Sequence, residues 1–497
     1  MRGLPVLFYY KKRNTMTTPR FESLKLNRKQ MIMLPVIVLV TAFLWLVPTS
    51  FYGIDGLTIV EQRTIALFAF AALMWMFEVI PTWTTSVILI VTMLLTISDS
   101  SLRFLREGPR VEELGSLVSY KAILSTFADP VIMLFLGGFI LAIAATKVGL
   151  DVQLAKWLLW PFGNKPQNVL LGFLLIIGLF SMFMSNTATA AMMLTFLAPV
   201  LKTLPADGKG RIGLAMAIPV AANLGGIGTP IGTPPNAIAL SYLNEHLHMN
   251  VGFSDWTLVM FPYVVVMLLI SWRVLLWLYP FKAKTVELHI ESKGEKGVRT
   301  YIVWGTFAVT ILLWMFDKLT GVNSNVVAMI PVGVFCATGI ITKEDLKEIN
   351  WSVLWMVAGG IALGVAMNKT GLAEHLVESI PFDSWIPLVV LIVSGLLGYF
   401  ISNFISNTAA ANLIVPILSA VAVGMGESLN AVGGVKTLLV GVVLSTSLAM
   451  LFPISTPPNA LTHSTGLTTT RDMTQVGLII GIVGFVLGYA LLIFVGI

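Results

Sequence analysis

Two short polar motifs each occur twice in this chain of 497 residues. The first is Ser-Asn-Thr-Ala, at 185–188 and 406–409, and the second is Thr-Pro-Pro-Asn-Ala, at 233–237 and 456–460. All four copies lie in apolar stretches, where hydroxyl and amide groups are unfavourable to bury without partners. Their oxygen atoms can cap helices, accept hydrogen bonds or coordinate a hard cation.

The paired prolines predict a break in each of two long helices, because proline lacks a backbone donor and clashes with preceding carbonyl groups. Asn236 and Asn459 are expected at the N-cap of the half-helix after each break. The Ser-Asn-Thr motifs are expected to separate two half-helices and to cap the second. An isolated motif of this kind more often serves helix packing, but here each one is followed by a Pro-Pro break after 48 or 50 residues.

Four half-helix N-termini would result, each with unpaired N–H groups and about half a positive charge. Together they predict an anion site that needs no cationic side chain. The carbonyl groups freed before each break, with the Ser, Thr and Asn oxygens, suit a monovalent cation such as Na⁺. Mg²⁺ and Zn²⁺ prefer sites with carboxylate or imidazole ligands.

The composition shows which elements must position these motifs. Hydrophobic residues make up 56% of the chain and charged residues only 11%, against roughly 25% charged in soluble domains. Soluble enzymes, nucleic-acid-binding proteins and disordered chains are therefore excluded. The single Cys336 excludes an internal disulfide and a thiolate metal site. We predict an all-α polytopic membrane protein.

Spans of about 20 apolar residues are needed to cross the hydrocarbon core. Eleven are predicted, near 31–50, 61–79, 83–98, 131–149, 211–242, 254–280, 301–320, 324–342, 352–370, 434–466 and 474–496. Stretches 167–202 and 386–424 are interrupted by the Ser-Asn-Thr motifs and are interpreted as two re-entrant hairpins.

The distribution of basic residues orients these spans. Eight Lys or Arg residues precede the first span, which predicts a cytoplasmic N-terminus in a cell inner (plasma) membrane and an external C-terminus. With this topology, 23 of the 31 basic residues fall inside and eight outside. Met16 could also begin a shorter chain.

An internal repeat supports the hairpins. Residues 137–150 resemble 359–372, and the three pairs of similar segments are offset by 222, 221 and 223 residues. Five predicted spans separate the two glycine pairs that begin these segments, so the second copy would be inverted, as in many secondary transporters. The predicted parts are an N-terminal cytoplasmic segment (1–30), a scaffold of three spans and an outer loop (31–130), repeat 1 (131–280), two linking spans (281–351) and repeat 2 (352–497).

At these motifs the chain resembles the divalent anion/sodium symporter family, which includes bacterial dicarboxylate and citrate carriers. The resemblance covers about residues 31–497. It implies eleven spans, two re-entrant hairpins, a homodimer and an elevator-type movement of a transport domain against a scaffold.

The resemblance also implies site residues. One sodium site would use Ser181, Ser185, Asn186 and the Gly232 carbonyl, and the other would use Ser402, the Ile405 carbonyl, Asn407 and Ser455. Substrate carboxylates would meet Ser185, Asn186, Thr187, Thr233 and Pro234 from one repeat, and Ser406, Asn407, Thr408, Thr456 and Pro457 from the other.

The leading functional hypothesis is sodium-coupled import of C4-dicarboxylates such as succinate, malate and fumarate, with co-transported Na⁺ and no organic cofactor. Sodium-independent dicarboxylate exchange and Na⁺-coupled citrate or sulfate transport are the alternatives. An enzyme or an ion channel is disfavoured, since no catalytic motif such as HExxH or GxSxG is present. His246 and His248 are interpreted as loop or interface residues, and Glu78 as a structural residue at a span end.

Overall fold

The computed structural model describes residues 28–107, 111–205, 208–286, 297–379 and 384–497. Within these ranges the regular structure is helical, apart from one isolated parallel bridge between Ser98 and Val118. Most of the basic N-terminal segment lies outside the described residues.

Three helices begin the described chain: α1 (Arg28–Leu46), α2 (Ile59–Phe77) and α3 (Thr82–Thr96). A capping box starts α2, in which Thr58 Oγ1 accepts from the Glu61 backbone and the Glu61 carboxylate accepts from the Thr58 backbone. Glu78 ends α2 with a left-handed φ of 43°, at the reversal into α3. This position at a helix end fits the structural interpretation of Glu78.

The next segment contains the first pair of motifs. Its helices are α4 (Pro130–Lys147), α5 (Leu150–Leu159), α6 (Pro166–Ser181), α7 (Asn186–Lys202), α8 (Gly210–Gly226), α9 (Pro234–Ser241) and α10 (Phe253–Leu278). Two linking helices follow, α11 (Val298–Met315) and α12 (Ser324–Ala337).

The second pair of motifs lies in a similar series of helices. These are α13 (Trp351–Thr370), α14 (Leu372–Ser379), α15 (Pro387–Ser402), α16 (Asn407–Met425), α17 (Gly434–Ser447), α18 (Pro457–Ser464) and α19 (Thr470–Phe494). The short helices α5 and α14, which follow α4 and α13, were not predicted from the sequence. Each is shorter than a membrane span, so the length criterion could not detect it.

The two segments are interlocked at their broken helices. The half-helix α18 packs against α7 and α8 of the first segment, and the half-helix α9 packs against α16 and α17 of the second. Each Pro-Pro motif is therefore held beside helices from the other half of the chain. This crossing brings all four polar motifs into one central region.

By length and composition, seven helices in the described part of the chain could cross a membrane, and several apolar helices are shorter. The shorter ones include one half of each interrupted stretch, Pro166–Ser181 and Pro387–Ser402, and the first half of the second broken helix, Gly434–Ser447. The length of the apolar helices thus supports a multi-pass membrane protein.

Candidate functional site: the four polar breaks

The Ser-Asn-Thr motifs do cap half-helices, as predicted. Ser185 is the N-cap of α7, and its Oγ accepts a hydrogen bond from the Ala188 backbone at 3.2 Å. Ser406 caps α16 in the same way, with its Oγ 3.2 Å from the Ala409 backbone nitrogen. The remaining N–H groups at each helix start carry the partial positive charge expected of a helix N-terminus.

The Thr-Pro-Pro-Asn motifs break their helices, but the predicted capping role of Asn236 and Asn459 is wrong. Thr233 and Thr456 occupy the N-cap positions, because each Pro-Pro pair fills the first two positions of the half-helix that follows. The fixed φ of proline suits these positions, where no N–H partner is needed. Each asparagine is consequently one turn inside the half-helix.

The two asparagines instead satisfy the carbonyl groups freed by the breaks. Asn236 Nδ2 donates to the Gly226 and Thr229 carbonyl oxygens at 2.9 and 2.8 Å. Asn459 Nδ2 donates to the Met450 and Phe452 carbonyl oxygens at 2.9 and 3.0 Å. In an apolar setting, unpaired backbone carbonyl groups would destabilise the break. Both asparagines therefore hold the non-helical loop in one shape.

The first hairpin and the first broken helix bring together a cluster of neutral oxygen atoms. Ser181 Oγ lies 2.7 Å from the Ala222 carbonyl oxygen. One terminal atom of the Asn186 amide lies 2.7 Å from Ser181 Oγ, 3.3 Å from the Ala222 oxygen and 3.1 Å from the Gly232 oxygen. The amide orientation that satisfies its hydrogen bonds places nitrogen here, so that it donates to three converging oxygen atoms, those of Ser181, Ala222 and Gly232. Converging oxygen atoms of this kind form a ligand set for a hard cation.

Glycine is required on both sides of this cluster. A Cβ on Gly226 would lie 2.7 Å from Asn186 Oδ1 and 3.1 Å from the Gly232 oxygen. A Cβ on Gly232 would lie 2.4 Å from the Gly226 oxygen. The two ends of the break approach each other too closely for any side chain. Gly232 was predicted from its carbonyl, whereas Gly226 was missed because it lies outside the repeated motifs.

The second hairpin forms a related but different arrangement. Ser402 Oγ lies 2.9 Å from Asn407 Oδ1 and 2.8 Å from the Thr446 carbonyl oxygen, and its single hydrogen can be donated to either. Ser455 Oγ donates instead to the Asn403 carbonyl at 2.9 Å and accepts from the Phe452 backbone. The structure therefore brings Ser402 and Asn407 together and places the Ser455 hydroxyl in a separate network around Asn403. No hydrogen bond in the described chain joins the Ile405 carbonyl to either network.

Asn223 joins the two halves and was not predicted from the sequence. Its Nδ2 donates to Thr456 Oγ1 at 3.1 Å and to Asn459 Oδ1 at 3.3 Å. Asn223 is almost fully buried, and its Oδ1 has no hydrogen-bond partner among the described residues. Because this asparagine lies in α8 and belongs to no repeated motif, only its polarity within an apolar helix could have indicated it.

The predicted substrate residues differ in accessibility. Ser185, Asn186, Pro234, Ser406 and Asn407 are partly exposed, Thr187 and Pro457 are exposed, and Thr233, Thr408 and Thr456 are buried. No Asp, Glu, Lys or Arg occurs in any of the four motifs. An anion at this position would thus be met by helix N-termini and hydroxyl and amide groups.

A separate cavity of about 870 Å³ is lined in part by His246 and His248. His246 Nδ1 lies 2.9 Å from Asn368 Nδ2. No group of three or more His, Cys, Asp or Glu side chains in the described ranges could hold a metal ion. Burial lowers the pKa of His246 to about 4, with smaller contributions from His248 and Lys369.

Comparison with known proteins identifies the family. The sequence profile described as Citrate transporter matches residues 72–433. The chain belongs to this citrate transporter family. This membership confirms the resemblance stated from the motifs and the prediction that the protein is a transporter and not an enzyme.

Curated relatives of this transporter are all described as transporters. An uncharacterized transporter of Haemophilus influenzae is 31% identical over 446 residues, which cover 84% of this chain and 88% of the relative. The inorganic phosphate transporter PHO87 of Saccharomyces cerevisiae is 29% identical over 80% of this chain and 42% of its own length. The sodium-dependent dicarboxylate transporter SdcS of Staphylococcus aureus is 27% identical over 75% of this chain and 78% of its own.

Among solved structures, the YdaH transporter of Alcanivorax borkumensis has a similar fold. The TM-score is 0.54 at 13% identity, and the match covers 86% of this chain and 97% of that one. At this identity the similarity concerns the fold alone. Together with the apolar helices, the family membership establishes a multi-pass membrane transporter.

Proposed function

We propose that this protein is a sodium-coupled secondary transporter that imports C4-dicarboxylates such as succinate, malate and fumarate. The observation that carries the proposal is the convergence of the Ser181, Ala222 and Gly232 oxygen atoms around the Asn186 amide, beside the N-terminus of α7. A cation held there would supply the positive charge that the four motifs lack. Cation and anion binding would therefore be cooperative.

The proposed sodium sites follow the two hairpins. The first uses Ser181, Ser185, Asn186 and the Gly232 carbonyl, of which Asn186 already contacts both Ser181 and Gly232. The second uses Ser402, Ile405, Asn407 and Ser455, of which only Ser402 and Asn407 are joined by a hydrogen bond. We expect the first site to be closer to its ion-bound geometry than the second.

The dicarboxylate is proposed to lie between the two halves. One carboxylate would be met by the α7 and α9 N-termini, through Ser185, Asn186, Thr187, Thr233 and Pro234. The other would be met by the α16 and α18 N-termini, through Ser406, Asn407, Thr408, Thr456 and Pro457. We add Asn223 to this proposed binding region. It contacts Thr456, and its Oδ1 has no hydrogen-bond partner among the described residues.

We further propose eleven spans and two re-entrant hairpins in an inverted repeat, in a homodimer that works by an elevator-type movement. In support, Asn236 and Asn459 each donate to the carbonyl groups seven and nine residues before them. The same local contacts thus recur at both breaks. The proposed location is the cell inner membrane, with the N-terminus in the cytoplasm and the C-terminus outside.

Inorganic phosphate is the second candidate substrate. The phosphate transporter PHO87 matches this chain at 29% identity, slightly above the 27% of the dicarboxylate transporter SdcS. Helix N-termini bind phosphate and carboxylate by the same N–H groups. Polar motifs from both halves of the chain, which meet at the contact between Asn223 and Thr456, are better suited to a molecule with an anionic group at each end, and this favours the dicarboxylate.

The proposal is tested by uptake of radiolabelled succinate into proteoliposomes that contain the purified full-length protein. We expect uptake with an inward Na⁺ gradient and little uptake when choline replaces sodium. Unlabelled malate and fumarate should compete, and phosphate, sulfate and citrate should compete weakly. Equal uptake in choline would favour the sodium-independent exchanger, and strong competition by phosphate alone would favour the second candidate.

A further inference from the structure

A second polar cavity lies where α1 ends and α2 begins, in a part of the sequence that precedes all four motifs. Its volume is about 370 Å³, and the loop after α3 closes one side. The polar side chains in its lining include Gln62, Arg63, Arg106 and Glu113. Gln62 Nε2 donates to the Leu44 and Trp45 carbonyls, so it holds the end of α1 in place.

Arg63 is buried at this cavity without a counter-charge. Its side chain is only 7% exposed, and its Nη atoms donate to the Thr96 and Leu105 carbonyls at 3.1 to 3.2 Å. The guanidinium lies 5.5 Å from the centre of the Trp45 ring. Its Nε has no acceptor, and no carboxylate in the described ranges forms an ion pair with it. A buried charge without a partner is strongly unfavourable.

Arg106 adds a second unsatisfied donor. Its Nη1 donates to the Asp99 carbonyl at 2.8 Å, while its Nε is buried and has no acceptor among the described residues. Neighbouring Arg103, by contrast, is exposed and pairs with Glu107. Glu113 lines the cavity but forms no ion pair with either cavity arginine in the described part of the chain. The cavity therefore presents two guanidinium groups to an anion.

An apolar groove continues from this cavity. It has a volume of about 320 Å³ and shares Trp45 with the cavity lining. Val38, Leu67, Phe70 and Ile88 line it, on α1, α2 and α3. The seven residues from Trp45 back to Val38 correspond to about 10 Å of helix. A cationic cavity and an apolar groove thus lie in series along the helices.

We propose that this cavity and groove bind an anionic phospholipid, with its phosphate between Arg63 and Arg106 and one acyl chain along the groove. Guanidinium groups are well suited to phosphate, which accepts several charge-assisted hydrogen bonds at once. The side chains of Leu46 and Phe104 are part of the cavity lining and are exposed, so apolar surface for contact with a lipid borders the arginines. A small soluble anion would use the arginines but leave the groove empty.

The test is native mass spectrometry of the full-length protein in detergent, titrated with phosphatidylglycerol or with phosphatidylcholine of the same acyl chains. We expect phosphatidylglycerol to bind at least tenfold more tightly. Arg63→Gln and Arg106→Gln should each reduce this preference about tenfold, whereas the exposed, paired Arg103→Gln should retain it. Arg106 is only half-buried, so its variant keeps the test valid if Arg63→Gln does not fold.

A groove variant separates a lipid from a free anion. Ala42→Phe fills the groove and should weaken phosphatidylglycerol binding without removing either arginine. Full competition by inorganic phosphate, together with no effect of Ala42→Phe, would overturn the lipid assignment in favour of a soluble anion. Equal binding of the two phospholipids, or unchanged binding in both Arg→Gln variants, would overturn the site itself.

Discussion

Asn186 is the residue on which the candidate cation site depends most. Its amide contacts the Ser181 hydroxyl and the Ala222 and Gly232 carbonyls, which come from three separate parts of the chain. Asn407 occupies the matching position in the second hairpin and contacts Ser402. Both asparagines also lie in the first turn of a half-helix, so each connects a proposed cation ligand set with a helix N-terminus, where a substrate anion would be stabilised.

Replacement of either asparagine should therefore abolish transport. We expect Asn186→Ala and Asn407→Ala each to reduce sodium-dependent succinate uptake by at least tenfold, because a side-chain ligand is lost. The exposed Asn168→Ala on α6 is the matched control and should transport normally. Uptake should be measured at equal reconstituted protein. Full sodium-dependent uptake in both variants would show that the site is elsewhere.

At the scale of secondary-structure elements, the proposed cation site depends on the shape of the break between α8 and α9. Its loop is stabilised from within by Asn236, and its two ends approach at Gly226 and Gly232. One proposed cation ligand, the Gly232 carbonyl, belongs to this loop, and the Asn186 amide lies against both Gly226 and Gly232. Small changes in loop shape should consequently affect ion binding more than changes on the outer helix surfaces.

Gly226→Ala tests this dependence on loop shape. The added methyl group would lie 2.7 Å from Asn186 Oδ1, so either the loop or the amide must move. We expect the sodium concentration for half-maximal uptake to rise at least tenfold. Gly305→Ala is the control, since a Cβ there meets no atom within 4 Å. Unchanged sodium dependence in Gly226→Ala would exclude this loop from the cation site.

The sequence predicted the positions of these elements well but not all of their internal contacts. The bounds of the helices on either side of the Ser-Asn-Thr and Pro-Pro motifs could be predicted because the length of an apolar stretch and the effect of proline are local properties of the sequence. Asn236 was misassigned as a cap because two prolines move the N-cap back to Thr233. Asn223 and Asn403 were missed because their partners are far away in sequence, and no local pattern encodes such contacts.

At the scale of the whole molecule, long-range polar contacts join residues that the predicted spans place on the same side of the membrane. Lys147 and Asp345, both predicted inside, form an ion pair at 2.6 Å. Lys318 forms an ion pair with Asp255, and His375 Nδ1 lies 2.8 Å from Glu61 Oε1. By the predicted spans, both of these contacts lie on the outer side of the membrane. These pairs place residues of one predicted side together. They support the topology without deciding which side is the cytoplasm.

Cysteine labelling tests which side of the membrane each loop faces. In a Cys336→Ser background, Ser100→Cys is predicted outside and Lys343→Cys inside, and both positions are exposed. A membrane-impermeant maleimide should label Ser100→Cys in intact cells and Lys343→Cys only after permeabilisation. Each variant should first be shown to transport normally. The reverse labelling pattern would invert the topology, and equal labelling of both would contradict it.

Sodium coupling is the central claim, and simultaneous measurement of the two fluxes tests it most directly. Proteoliposomes containing the full-length protein would receive ²²Na⁺ and ¹⁴C-succinate together, with protein-free liposomes as the control. We expect succinate to stimulate ²²Na⁺ entry, and we expect the two fluxes to keep a constant ratio as the succinate concentration is raised. Succinate entry with no accompanying ²²Na⁺ entry would contradict it.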